Sequence, residues 1–105
     1  SGEAVLKPSG VDALKKVGDI LKDYPEYKVA VEGHTDDQPL RSTMKKFATN
    51  QELSEARAAN AAKALAEGGL SGATTAGFAD RRPVASNSTE AGRAKNSRVE
   101  IRVTK

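Results

Sequence analysis

The sequence predicts an α+β domain in which helices pack on one face of a small mixed sheet. Three features carry that prediction. Residues 97–104 alternate Val99, Ile101 and Val103 with Arg98, Glu100 and Arg102, the period of a half-buried strand. Residues 50–68 form an alanine-rich run closed by Gly68-Gly69, the C-terminal stop of a long helix. The remaining periodic segments interleave with these two, in the order helix, strand, helix, strand, short helix, strand.

The first helix is expected over 10–23. Ser9 and Asp12 resemble an N-terminal capping box, Val11, Leu14, Val17, Gly18 and Leu21 recur at helical spacing, and Pro25 bars continuation. A strand follows over 28–35, with Val29 and Val31 set against Lys28, Ala30 and Glu32, and it ends in the polar run Gly33-His34-Thr35-Asp36-Asp37. Residues 38–49 hold no sustained period and read as an inserted loop, pinned by Phe47. Asn50 is the expected N-cap of the second helix. A short strand is expected over 73–78, a turn at Asp80-Arg81-Arg82-Pro83, and a short helix capped by Ser88 or Thr89 and running to Lys95.

The 105 residues suit one domain over 1–105, with no repeat and no low-complexity segment. Charged residues make up 30% of the chain and no apolar run is long enough to span a bilayer. An export signal or membrane anchor is expected upstream of Ser1, which reads as a cut end. The absence of cysteine excludes disulfides, thiolate metal sites and cysteine nucleophiles. Charge is uneven: residues 1–70 hold ten Lys/Arg against eleven Asp/Glu, whereas 71–105 hold seven against three. A basic tail of that kind is most simply a solvated surface. With two Tyr, two Phe and no Trp, the chain lacks the aromatics of a base-stacking surface, so no nucleic-acid partner is expected.

Catalytic and metal chemistry find little footing. His34 is the single histidine, and no second soft ligand lies beside it in the sequence, so a structural or hydrogen-bonding role is expected. Asp36-Asp37 lack the ligand spacing of a calcium loop. Gly68-Gly69-Leu70-Ser71-Gly72 follows a helix and lacks the Gly-Lys-Ser/Thr ending of a phosphate loop. No serine sits in a nucleophile elbow, and adjacent carboxylates point different ways. No catalytic residue, metal or cofactor is assigned, and no enzyme activity is expected.

One residue conflicts with its position. On a helical wheel Leu53, Arg57, Asn60, Ala61, Ala64 and Gly68 form the stripe facing the sheet, with Arg57 at its centre. A guanidinium cannot shed its charge, and a buried unpaired charge costs several kcal/mol, so an anion or water must be near it. Asp36 and Asp37, at the end of the preceding strand, are the nearest candidates. Arg57 and Asp36 then either pair with each other, or the arginine snorkels over small alanines, or acid and arginine line one cleft and grip the two ends of a zwitterion.

Three blocks carry a resemblance to a known family. They are Val31-Glu32-Gly33-His34-Thr35-Asp36-Asp37, Asn50-Gln51-Glu52-Leu53-Ser54-Glu55-Ala56-Arg57-Ala58, and Gly92-Arg93-Ala94-Lys95-Asn96-Ser97-Arg98-Val99-Glu100-Ile101. In that order they resemble the signature of the OmpA-like (OmpA/MotB-type) C-terminal domain. The resemblance implies a βαβαβ-type sandwich that binds peptidoglycan non-covalently and anchors a cell-envelope protein to the wall. It implies that Asp36 and Arg57 hold the diaminopimelate of the stem peptide, that Thr35, Asn50 and Leu53 line the same pocket, and that Arg98 lies near its rim. It also implies a periplasmic domain of an inner- or outer-membrane protein, tethered upstream by a membrane segment or lipid anchor, and it admits a homodimer. The run His34-Thr35-Asp36-Asp37-Gln38-Pro39-Leu40, with Phe47 ahead of Asn50, is similar to flagellar stator B subunits. The chain departs from the family in having Gln51 for a tryptophan and Ser97 for an arginine. The family's first strand would lie before Ser1, so an uncovered sheet edge or a substitute is expected. The alternative reading is a protein-interaction or structural module in which Asp36 and Arg57 pair only with each other.

Overall fold

The computed structural model describes residues 4, 6–38 and 47–105. The expected 38–49 loop lies outside them over 39–46, as do Pro39 and Leu40 of the stator-like run. The elements are α1 (Pro8–Leu21), β1 (Lys28–His34), α2 (Asn50–Gly68), β2 (Thr74–Gly77), α3 (Glu90–Asn96) and β3 (Arg98–Thr104). Type and order agree with the sequence reading.

Two helix starts differ from it. Lys7, not Ser9, caps α1, and no side chain bonds there. Pro8 at the first helical position explains the shift: its φ is already helical and its missing N–H needs no partner. In α2 the cap is Thr49, whose hydroxyl accepts from Glu52 N at 3.1 Å, while Glu52 Oε1 accepts from Ala48 N at 3.1 Å. This reciprocal arrangement leaves Asn50 inside the helix with its amide free to reach elsewhere. Gly69 ends α2 at φ 121°, and Thr89 caps α3 by accepting from Gly92 N at 3.0 Å.

The sheet has the order β2-β1-β3, with β1 parallel to β2 and antiparallel to β3. The connection from β1 through α2 to β2 is therefore a crossover, which places α2 against the sheet. One sheet face carries Val29, Val31, Val99 and Ile101. Those residues join Ala58, Ala61 and Leu65 of α2 and half-buried Leu14, Val17 and Leu21 of α1 in one core.

The buried stripe of α2 is broader than the wheel predicts. Leu53, Ser54, Arg57, Ala58, Ala61, Ala64 and Leu65 are buried, whereas Asn60 is exposed and donates to Ala4 O at 2.9 Å. The helix packs on the sheet along one side and on α1 along another, so two adjoining stripes are covered. Gly33 is what lets α2 approach β1 so closely: a Cβ there would strike the Ser54 carbonyl and the Ala58 amide.

Candidate functional site

The end of β1 and the first turns of α2 converge. Asp36, two residues past β1, is only 6% exposed, yet both its carboxylate oxygens are engaged. Oδ1 accepts from Gln38 N at 3.0 Å, an Asx-type turn, and Oδ2 accepts from Ser97 Oγ at 3.4 Å. Asn50 Nδ2 donates to Gln38 O at 3.0 Å, tying the start of α2 to that turn. Thr35 is buried; its N–H donates to Ala79 O at 2.8 Å and its hydroxyl to Asp36 O at 2.8 Å.

Arg57 is 8% exposed, and its Nη1 donates to His34 O at 2.9 Å. Burial holds the guanidinium below its ordinary pKa, and the Asp36 charge offsets part of that. Leu53, fully buried, lies one turn before Arg57 on the same side of α2. A cleft of about 390 Å³ is lined by Arg57, Ser97 and Arg98 together with apolar Leu6, Leu14, Val99 and Ile101, whereas Asp36, Thr35, Asn50 and Leu53 are not among its lining residues. Ser97 therefore belongs both to this cleft and to the hydrogen bonds of Asp36. Arg98 turns its guanidinium toward Glu100, Asn96 O (3.1 Å) and Arg82 O (3.0 Å), and the residue also lines the cleft.

A second layer that the sequence did not single out holds these groups. Ser54 Oγ donates to Gln51 O at 2.8 Å and accepts from Ala79 N at 3.0 Å. Ala79 adopts φ 50°, a left-handed conformation rare for a side-chain-bearing residue, and so presents its carbonyl to Thr35. Gln51 donates to Gly77 O at 2.7 Å and accepts from Arg81 Nη1 at 2.8 Å, binding α2 to β2 and the following turn. Asn96, wholly buried, accepts from Val84 N and Ala85 N and donates to Ala85 O and Asn87 Oδ1. Loop polar residues that bridge distant segments leave no periodic trace in a sequence.

On the sheet face away from α1 and α2, His34 has a structural place. It is 1% exposed and stacks on Phe78 at 5.4 Å, but neither ring nitrogen has a hydrogen-bond partner. Of the expected structural or hydrogen-bonding role, the structure therefore has the structural one for this side chain. Burial lowers its pKa and Arg98 acts the same way, against Glu100 and Glu32, so the imidazole is neutral at neutral pH. Glu100, far away in sequence, is brought beside it by the β1–β3 register.

No helix among the described residues is long and apolar enough to cross a membrane. The family model described as OmpA family matches residues 1–97. The chain is 40% identical over 103 residues to outer membrane porin F of Pseudomonas fluorescens, covering 96% of this chain and 30% of that protein. It is 38% identical over 100 residues to the peptidoglycan-binding protein ArfA of Mycobacterium bovis, covering 93% of this chain and 29% of ArfA. The chain thus spans less than a third of either relative. Among solved structures, the C-terminal domain of Helicobacter pylori MotB superposes with a TM-score of 0.90 at 25% identity, over 99% of this chain and 80% of that one.

Proposed function

The chain belongs to the OmpA family, and from that premise we propose that it binds peptidoglycan non-covalently through the diaminopimelate of the stem peptide. In this reading it is a wall anchor without catalytic activity, acting in the periplasm as part of a membrane-tethered protein. The observation that carries the proposal is that a buried cation and a buried anion, Arg57 and Asp36, act on each other at the end of β1, and that Ser97, which bonds Asp36, lines the same cleft as Arg57. A diaminopimelate side chain ends in an ammonium and a carboxylate on one carbon. Asp36 takes the ammonium, the planar fork of Arg57 takes the carboxylate, and Asn50 fixes the turn that aims Asp36. In this reading buried Thr35, bonded to the Asp36 carbonyl, and buried Leu53, one turn before Arg57, back the two charged groups, and Arg98 lines the cleft with Arg57.

Keeping both charges inside the fold before ligand arrives lowers the ordering cost of binding. That the relative ArfA is named a peptidoglycan-binding protein supports the reading. The second reading is a module in which Asp36 and Arg57 are purely structural. The hydrogen bonds that already engage both side chains favour it.

Titration of meso-diaminopimelate, and of stem peptides carrying it or lysine, into ¹⁵N-labelled protein separates the two. The proposal expects saturable shifts centred on Asp36, Asn50 and Arg57 with the diaminopimelate ligands only. No shift with any of them, together with wall binding that collapses as salt rises, would mean that the basic surface docks an anionic polymer instead.

A further inference from the structure

The β1–β3 register sets Glu32 directly opposite Glu100 on the outer sheet face, with His34 opposite Arg98 one pair further on. Two like charges across a strand pair repel, and here Arg102, which bonds Glu32 and stands 3.8 Å from Glu100, offsets that repulsion. His34 supplies the second observation. Its imidazole is buried with both nitrogens unpartnered, and Nε2 lies 3.9 Å from Glu32 Oε1. A buried polar atom without a partner is costly, and an ion is one of the few groups that satisfy it. One donor atom from each of Glu32, His34 and Glu100 lies within 4.8 Å of the others.

We propose that Glu32, His34 and Glu100 form a binding site for a divalent transition-metal ion of the zinc type, separate from Asp36 and Arg57. One imidazole and two carboxylates make a neutral set with a dication and leave a fourth position for water. The nitrogen donor selects a borderline metal such as zinc over calcium or magnesium, which prefer all-oxygen shells. Bonds of about 2.0–2.2 Å demand donors a little over 3 Å apart, so the three side chains close inward by roughly an ångström on binding.

Arginines now occupy the carboxylates and compete with the metal. Arg102 Nε donates to Glu32 Oε1 at 2.9 Å, Arg98 to Glu100 Oε2, and Arg82 Nη1 stands 4.0 Å from Glu32. Arg102 is more than half exposed and swings into water at little cost. Arg98 retains the carbonyls of Asn96 and Arg82 when Glu100 turns away. The outer sheet face thus holds either arginines or a metal, and the guanidiniums keep its affinity below that of a closed structural zinc site.

The test is a zinc titration of tag-free protein, followed by calorimetry and by long-range ¹H–¹⁵N spectra of the imidazole. Because His34 is the single histidine, its ring signals are unambiguous. The expected result is saturable one-to-one binding that moves a His34 ring nitrogen, with no such change from calcium. Glu100→Gln, at a half-buried position that tolerates an isostere, should weaken it by more than the ~10–100-fold that loss of an outer-shell partner costs. His34→Gln should abolish it. Absence of a saturable zinc effect on the His34 ring, or equal binding by folded Glu100→Gln, would overturn the proposal.

Discussion

Arg57 donates through Nη1 to the carbonyl oxygen of His34 at 2.9 Å, so the last residue of β1 fixes the guanidinium that α2 carries into the interior. The strand also delivers Asp36 two residues later. One β-strand end therefore sets the positions of both charged groups.

Replacing Arg57 with lysine keeps the charge but removes the planar fork and its pre-set geometry. Arg57→Lys should stay folded and bind diaminopimelate at least about tenfold more weakly, equivalent to ~1.4 kcal/mol. Arg57→Ala should abolish binding and destabilise the fold by about 3–5 kcal/mol, because Asp36 loses a buried opposite charge. Denaturant unfolding beside NMR titration separates the two effects; wild-type affinity in folded Arg57→Lys would remove Arg57 from the site.

Gly33→Ala tests whether the approach of α2 to β1 builds the site. The added Cβ meets backbone atoms of Ser54 and Ala58, which no rotamer change relieves. The expected cost is at least about 1–3 kcal/mol, a fall in Tm of roughly 4–8 °C per kcal/mol. Ligand binding should fall with it, since Ser54 and Arg57 move with the helix.

Much of this fold was legible in the sequence because its signals are local. The alternation of Val99, Ile101 and Val103 and the Gly69 stop of α2 each act within one element. Asp36 and Arg57 were legible because a charge at the centre of an apolar stripe is a conflict visible without coordinates. Cap positions shifted because Ser, Thr and Asn all suit a cap, and the deciding factors were Pro8 and the Thr49–Glu52 pair. Ser97 beside Asp36, Ser54 beneath Ala79, and Glu100 beside His34 were not legible. Each depends on a register between segments far apart in the chain, which no local period encodes.

Asn96 is the clearest structural anchor that sequence period alone does not reveal. Its side chain is wholly buried, and its four hydrogen bonds hold Val84, Ala85 and Asn87 against the end of α3. Asn96→Ala should strand two N–H donors and a carbonyl, costing roughly 2–4 kcal/mol. A lowered denaturation midpoint with an unchanged m-value would be the expected signature.

At Ala79 two substitutions should diverge. The left-handed φ of 50° strains any side chain, and a β-branched one most. Ala79→Val should destabilise by more than about 2 kcal/mol and loosen Thr35, whose N–H bonds to the Ala79 carbonyl. Ala79→Gly relieves strain but adds chain entropy and loses a buried methyl, so its stability should stay within about 1 kcal/mol of the parent. Thermal unfolding of the pair checks this directly.

Asp36 and Ser97 allow the ligand's ammonium to be tested while the backbone turn at Gln38 is kept. Asp36→Asn is isosteric, and its amide oxygen can still accept from Gln38 N, so the turn survives while the negative charge is lost. If the carboxylate receives an ammonium, this variant should lose diaminopimelate binding; Arg57 also loses its buried opposite charge, so the midpoint should fall, and binding is compared under conditions where the variant is still folded. Ser97→Ala removes only a long hydrogen bond of 3.4 Å to Oδ2, for which about 0.5–1.5 kcal/mol is an upper range. Its binding should weaken by no more than about tenfold. Affinities in the order parent, Ser97→Ala, Asp36→Asn would identify the charge of Asp36 as the recognition element and Ser97 as its support. Equal losses from both variants would instead mean that the ligand depends on the geometry of this corner and not on its charge.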